Sequence, residues 1–321
     1  MNQGYPRLLG DIGGTHARWG WQEQAGSPVT AVSVQPCADH PDIAASARHY
    51  LQAQGLARPR WAGLGVATAV TGDTVRMTNS NWVFSIDALQ SALGLERCRV
   101  VNDFTALALS LPGLQAQDLR SVGAGTAVAG RAIALLGPGT GLGVSGLVPV
   151  PNGGYVALAG EGGHATLAAT DDEEAALLSL LRQDFPHVSA ERLLSGSGLV
   201  LLYQAVCRMQ GVAALALHPV QVSEAALQQT NVQCQHAVRL FTGFLGSVAG
   251  NLALTLGAQG GVYVGGGIVP KLGRAFDEAL FRQRFEAKGR FRGYLSEVPV
   301  WVITAQTPAL LGASYALDFG G

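Results

Sequence analysis

Between residues 10 and 15 the chain reads GDIGGT, and between residues 137 and 143 it reads GPGTGLG. Both stretches pair glycines, which let backbone N–H groups come close to a ligand, with a threonine hydroxyl, and the first adds a carboxylate, Asp11. Successive N–H groups exposed in such a turn form an anion-binding concavity, so the chemistry within reach is phosphate binding. An aspartate at a strand end suits magnesium, which takes one or two carboxylates and fills its remaining positions with water and substrate phosphates. Each stretch alone reads equally well as a tight strand-to-strand turn, because glycine relieves the steric limits on φ and aspartate is a common turn former.

Three familiar schemes do not fit. A Walker loop needs lysine after glycine and before Ser or Thr; the chain's two lysines, Lys271 and Lys288, both stand elsewhere. A dinucleotide fingerprint needs a third glycine and a following helix, but after Gly137 and Gly139 position 142 is leucine and a strand-like run follows. Asp318, Phe319 and Gly320 spell a protein-kinase tripeptide at the very end of the sequence, with no H-R-D upstream, and are read as a chance match. What is left is a pair of glycine and threonine turns facing each other across a cleft.

Apolar, strand-like runs occur at RLLGDI, HARWGWQ, VTAVSV, WAGLGVATAV and CRVVN, and helix-period stretches at DIAASARHYLQA and SIDALQSALG. Ser85 is placed to cap the second helix, with Asp87 in its first turn. After LPGLQAQDLRSVGAGTAVAG, read as a connector, RAIALLGPGTGLGVSGLVPV repeats the strand, turn, strand plan of RLLGDIGGTHARWGWQ. That repetition points to a duplicated α/β architecture. Helices are then expected at DDEEAALLSLLRQDF, GLVLLYQAVCRM, CQHAVRLFTGFLGSVAGNLALTLG and LGRAFDEALFRQRFEA. The acidic run from Asp171 to Glu174 is expected to stand solvated at a helix start.

Length and composition bound the reading. A chain of 321 residues that is 48% hydrophobic and 13% charged has ample material for about two folded domains. A net charge of −1, without a basic stripe, speaks against nucleic acid as a partner. Cys37, Cys98, Cys207 and Cys234 are too dispersed for a C-x-x-C motif, so free thiols are expected. The first residues lack the apolar core of a signal peptide, so a cytoplasmic protein is expected. Leu240 to Pro270 carries no charge and is long enough to cross a bilayer, but Gly257, Gly260 and Gly261 split it. The expectation is a buried helix followed by a buried strand, with no membrane partner.

Over nearly its whole length the chain resembles bacterial glucokinases of the sugar-kinase, actin and heat-shock ATPase superfamily. The matching stretches are GDIGGTHAR, MTNSNWVFS, VNDFTALALS, GPGTGLGV, GEGGHATLA, HVSAERLLSGSGL, AGNLAL, GGVYVGGGIVP, KGRF and PALLGA, in family order. One departs: the family more often has Asn where this chain has His16. The resemblance implies a two-domain, actin-like (ribonuclease H-like) α/β fold with a duplicated mixed-sheet core and an interdomain cleft. The small domain would take residues 1–112, completed by a C-terminal helix at about 304–321, and the large domain 113–303.

It also implies phosphorylation of the 6-hydroxyl of glucose by Mg-ATP, the first step of glycolysis, in a cytoplasmic homodimer. Asp103 matches the family's general base: a carboxylate where a strand enters a helix, which the helix dipole would keep ionised. Asn102, Glu161, His164 and Glu191 match the sugar-binding residues. Gly10, Asp11, Ile12, Gly13, Gly14 and Thr15 match the first phosphate motif, Gly139, Thr140 and Gly141 the second, and Gly265, Gly266 and Gly267 the adenosine motif. Asp11 would hold Mg2+ through water. Related kinases and repressors of the ROK type carry a cysteine-rich zinc motif near the matching histidine; no cysteine lies within thirty residues of His164, and zinc is not expected. Two other readings stay on the table: a sugar-responsive repressor, which would need a helix-turn-helix extension, and a non-catalytic, actin-like assembly protein, which would form filaments without making ADP.

Overall fold

A computed structural model describes residues 4–78, 80–151 and 153–318. Asn79 of MTNSNWVFS and Phe319 and Gly320 of the C-terminal tripeptide lie outside the described residues. In chain order come β1 (Arg7–Ile12), β2 (His16–Gln22), β3 (Thr30–Pro36), α1 (Ile43–Ala53), β4 (Trp61–Val66), β5 (Thr74–Arg76), β6 (Val83–Ser85), α2 (Ile86–Leu93), β7 (Arg97–Asn102) and α3 (Asp103–Ser110). Then follow β8 (Leu119–Ser121), β9 (Ile133–Pro138), β10 (Leu142–Pro149), β11 (Tyr155–Gly160), α4 (Asp172–Leu181), α5 (Ala190–Leu193), α6 (Gly196–Met209), α7 (Pro219–Leu227) and α8 (Val232–Leu256). The chain ends with β12 (Val262–Val264), α9 (Ile268–Leu272), α10 (Glu278–Glu286), α11 (Arg292–Ser296), β13 (Val300–Ile303) and α12 (Pro308–Asp318).

Two compact units divide the chain: Met1–Gln115 with Tyr155–Ala159 and Ala305–Gly321, and Ala116–Gly154 with Gly160–Thr304. The main sheet of the first runs β3-β2-β1-β4-β7, and the sheet built mainly by the second runs β11-β10-β9-β12-β13-β8. In both, an antiparallel hairpin joined by a glycine and threonine turn is extended on its first strand by parallel strands. This shared plan is the duplication anticipated from the two strand, turn, strand repeats.

In the first unit α12 packs on α3, β4 and β1. Gly312 makes that contact: a Cβ there would lie 1.6 Å from the Ala106 carbonyl oxygen of α3, so any side chain must push the two helix backbones apart. Buried Arg7 of β1 ties down the same helix by donating to Ser314 O and Oγ at 3.0 and 2.9 Å and pairing with Asp318. In the second unit α8 runs through the core, with Phe241, Phe244 and Leu245 fully buried between neighbouring helices. It stops at Gly257, whose φ of 61° supplies the left-handed cap, and buried β12 follows. The uncharged run is therefore a core helix and a core strand.

Three expectations need correction. LGRAFDEALFRQRFEA is not one helix: α9 ends at Gly273, a 3-10 turn spans Gly273–Ala275, and α10 starts afresh with Asp277 capping the Leu280 N–H at 3.0 Å. The connector hides β8, which pairs antiparallel with β13. The acidic run does start a helix, Asp171 accepting from the Glu174 N–H at 2.9 Å, but Glu174 is not solvated. It is 2% exposed, accepts from the Thr170 N–H and hydroxyl at 2.8 and 3.0 Å, and pairs with Arg284. Removing one partner of a buried pair strands the other charge, so Arg284→Ala is expected to destabilise by about 3–5 kcal/mol in equilibrium urea unfolding.

Candidate active site

The predicted site residues fall into two clusters, one in each unit. In the first, β1, β4 and β7 are parallel and in register, Ile12 opposite Val66 and Val66 opposite Asn102, so their carboxyl ends lie side by side. Open α/β sheets bind ligands at such strand ends. Asp11 sits one residue before the end of β1, and Asp103 opens α3 directly after β7. The Gly13–Thr15 turn closes on itself, the Gly13 N–H donating to His16 O at 2.9 Å, while the Cys37 N–H braces Thr15 O at 2.8 Å. Thr15 Oγ1 and His16 Nδ1 are 3.0 Å apart, so the residue that departs from the family pattern touches the threonine hydroxyl of the turn.

Asn102 caps α3, its Oδ1 accepting from the Phe104 and Thr105 N–H groups at 2.9 and 3.3 Å. Its amide nitrogen donates to Asp103 Oδ1 at 2.9 Å and to Thr68 O at 3.3 Å. The side chain expected to offer a donor and an acceptor to a sugar thus engages both on the protein. Asp103 Oδ1 also accepts from the Phe104 N–H at 2.9 Å. Burial pushes the Asp103 carboxyl up to about 6, the nearby charge of Asp11 adds to the rise, and the bonds from Phe104 and Asn102 only moderate it. Desolvation thus lifts the carboxyl well above the usual carboxylate range, although at neutral pH it is still mostly ionised.

Asp11 is likewise raised by burial, partly offset by Arg18. Arg18, its cross-strand partner on β2, donates to Asp11 Oδ2 at 2.6 Å. Sequence reasoning passed over Arg18, although a signal was present: Asp11 and Arg18 are equidistant from the centre of the hairpin turn.

In the second unit the Gly139–Gly141 turn closes with a 2.8 Å bond from the Gly139 N–H to Gly141 O. It is tied to neighbouring elements by Gly196 N–H to Gly139 O at 2.9 Å and Gly265 N–H to Leu136 O at 2.8 Å. Gly139–Gly141 and Gly265–Gly267 are thereby brought together. Exposed Glu161 and His164 bound a 3-10 turn whose Gly163 is buried, and Glu191 lies in the first turn of α5. Main-chain bonds from Ala190 N–H to Ala165 O, 2.9 Å, and Leu167 N–H to Val188 O, 3.0 Å, strap the two segments together. His164 Nε2 consequently stands 3.9 Å from Glu191 Oε1. The other oxygen, Oε2, accepts the Leu142 N–H at 2.8 Å and lies over Gly141, where a Cβ would come within 2.4 Å of it.

A cavity of about 810 Å³ opens beside this turn, lined by Gly139 and Thr140, by Gly196, Ser197 and Leu199 of α6, by Pro219, Val220, Ser223, Glu224 and Leu227 of α7, and by Gly267, Ile268 and Lys271. Its volume and mixed apolar and polar lining suit a nucleoside. The contributions of α7 and of Lys271 on α9 were not foreseen, because nothing in the spacing of Ser223, Glu224 and Lys271 marks them out.

Duplicated mixed sheets, each leading with a glycine and threonine hairpin turn, and a raised carboxylate beside one of them, define an actin-like, two-domain α/β phosphotransferase fold. The chain belongs to the glucokinase family, whose sequence model matches residues 8–319. It is 56% identical to a glucokinase of Aromatoleum aromaticum, over 98% of this chain and 95% of that one, and 50% identical to one of Cupriavidus pinatubonensis, over 98% and 92%. Among solved structures, the glucokinase of an Antarctic psychrotroph superposes with a TM-score of 0.91 at 36% identity, covering 98% of this chain and 99% of that one.

Proposed function

We propose that the chain transfers the γ-phosphoryl group of ATP to the 6-hydroxyl of glucose, giving glucose 6-phosphate and ADP. The observation that carries this reading is Asp103, whose Oδ1 is fixed by Asn102 and Phe104, leaving Oδ2 to take the hydroxyl proton as the oxygen attacks phosphorus. Glu161, His164 and Glu191 of the second unit offer the sugar contacts, and carboxylate acceptors left unpaired by a deoxy sugar would disfavour it, while Asn102 of the first unit, its amide already bonded, serves by holding Asp103. Gly10–Thr15 in the first unit and Gly139–Gly141 in the second each present a turn suited to phosphate. Since Gly13 and Gly139 use their own N–H groups to close the turns, recognition falls to the remaining N–H groups and to the hydroxyls of Thr15 and Thr140. Gly265–Gly267 and the cavity beside them take the nucleoside.

Magnesium fits the donor set: Asp11 and Asp103 are buried hard oxygen donors, the charge of the first adding to the cost of ionising the second, and one or two carboxylates suffice for it. Asp11 would hold the ion through water, with Arg18 fixing its other oxygen. The ion, when bound, offsets the negative charge of the phosphate oxygens. Asp11→Asn is expected to raise the KM for Mg-ATP about 10–100-fold, as loss of an outer-shell carboxylate does, with glucose binding by calorimetry little changed. The opposite pattern would reverse the roles given to Asp11 and Asp103.

On the family's model, the enzyme works in the cytoplasm as a homodimer at the first step of glycolysis. A coupled ADP-release assay across hexoses and phosphate donors tests the activity. Turnover with glucose and ATP supports it; filaments without ADP would favour the assembly reading.

A further inference from the structure

The loop after β4 reaches Asp103 through the Asn102 amide, by bonds of Thr68 that the reaction described so far does not use. Thr68 O receives the second hydrogen of the Asn102 amide at 3.3 Å, the first being donated to Asp103 Oδ1 at 2.9 Å. Thr68 is itself held on both sides of its hydroxyl, donating to Arg76 O at 3.0 Å and accepting from Thr78 Oγ1 at 3.2 Å. Its N–H donates to Val66 O at 2.8 Å, and the Ala67 N–H donates to Ile12 O at 2.9 Å, so the loop is pinned between the ends of β1 and β4. We propose that Thr68, anchored by Thr78, is a positioning residue that orients Asp103 through Asn102.

The physical requirement is directional. An amide with both hydrogens committed has one orientation, and that orientation places a donor on Oδ1 of Asp103, turning Oδ2 toward the reacting hydroxyl. Without the Thr68 hydroxyl, the Thr68 carbonyl loses its anchor to the β5–β6 hairpin, the amide rotates more freely, and Oδ2 samples unproductive directions. The charged groups facing Asp103 are Asp11 and, paired with it, Arg18; both are untouched by this change.

The inference rests on Asp103 being the base, so Asp103→Asn belongs in the same experiment. Thr68→Val keeps the shape and removes the hydroxyl; Thr68→Ser keeps the hydroxyl. Thr68→Val is expected to lower kcat on the order of tenfold, with the glucose KM within about twofold and the acid limb of the pH–kcat profile moved upward as Asn102 donates less firmly. Thr68→Ser restores both. Thr78→Val, at the far end of the chain, is expected to move kcat and the limb in the same direction by less, and serves if Thr68→Val folds poorly by thermal unfolding. An unchanged kcat and limb in folded Thr68→Val or Thr78→Val, or failure of Thr68→Ser to restore them, overturns the positioning role. Full activity in Asp103→Asn would instead overturn the base.

Discussion

Asp103→Asn is expected to lower kcat by about 10²–10⁴-fold, the range a general base contributes, while glucose still binds. Asparagine keeps an oxygen to accept from the Phe104 N–H and the Asn102 amide, so the local geometry survives and only the proton acceptor is lost. In the wild type the base must be ionised, and with its carboxyl pushed up to about 6 the rate should fall with unit slope as pH drops below that value. The Asp11→Asn variant should move the limb to lower pH, because the neighbouring charge that helps to raise Asp103 is gone.

Stability should move the opposite way from activity. The folded protein holds the Asp103 proton more tightly than the unfolded chain does, so ionising it in the fold is unfavourable. That penalty is absent below 3.8, grows as pH rises through about 6, and is fully present above it. Asp103→Asn removes a penalty of ~3 kcal/mol at neutral pH, to be read as a higher urea midpoint at pH 7.5 that converges on wild type near pH 4. A dead enzyme that is no more stable than the wild type would mean that the carboxylate is less desolvated than its surroundings imply.

Much of this site could be read from the residues, and the exceptions have physical causes. The hairpin RLLGDIGGTHARWGWQ was legible to the residue because apolar β-formers flank a glycine turn, and Ser85 was legible as a cap because a serine just before a helical period is placed to accept from the first turn, as it does from the Ala88 N–H. The strand β8 was hidden because three residues have no period, and pairing with β13 is what makes them a strand. The break between α9 and α10 was masked by apolar spacing that runs on across Gly273 and Asp277, although a glycine and then a capping aspartate just inside the expected helix are the ordinary punctuation of a new helix. The elevated Asp103 carboxyl lay beyond reach altogether. A helix start argues for a low carboxyl pKa, and the burial that raises it comes from tertiary packing, which no local pattern of residues reveals.

Gly141→Ala is expected to lower kcat/KM for both glucose and ATP by about 10²-fold in a protein that still folds. Gly141 does not adopt a positive φ, so alanine meets no backbone penalty there. The added methyl would come within 2.4 Å of Glu191 Oε2, the free end of a flexible side chain that can swing away. Gly312 differs because its methyl would meet the Ala106 carbonyl of α3 at 1.6 Å, a backbone atom that moves only with its helix. Swinging away, however, takes Glu191 off the Leu142 N–H and away from His164, so the carboxylate proposed to bind sugar and the turn proposed to bind phosphate are disturbed by one methyl. The discriminating comparison is with Glu191→Ala, which removes the carboxylate without crowding the turn. If displacement of Glu191 is the whole effect, the two variants share the same glucose defect and the double variant adds nothing to it. A double variant that loses a further tenfold or so would mean that Gly141 serves the phosphates directly, with Glu191 a bystander to the turn it caps.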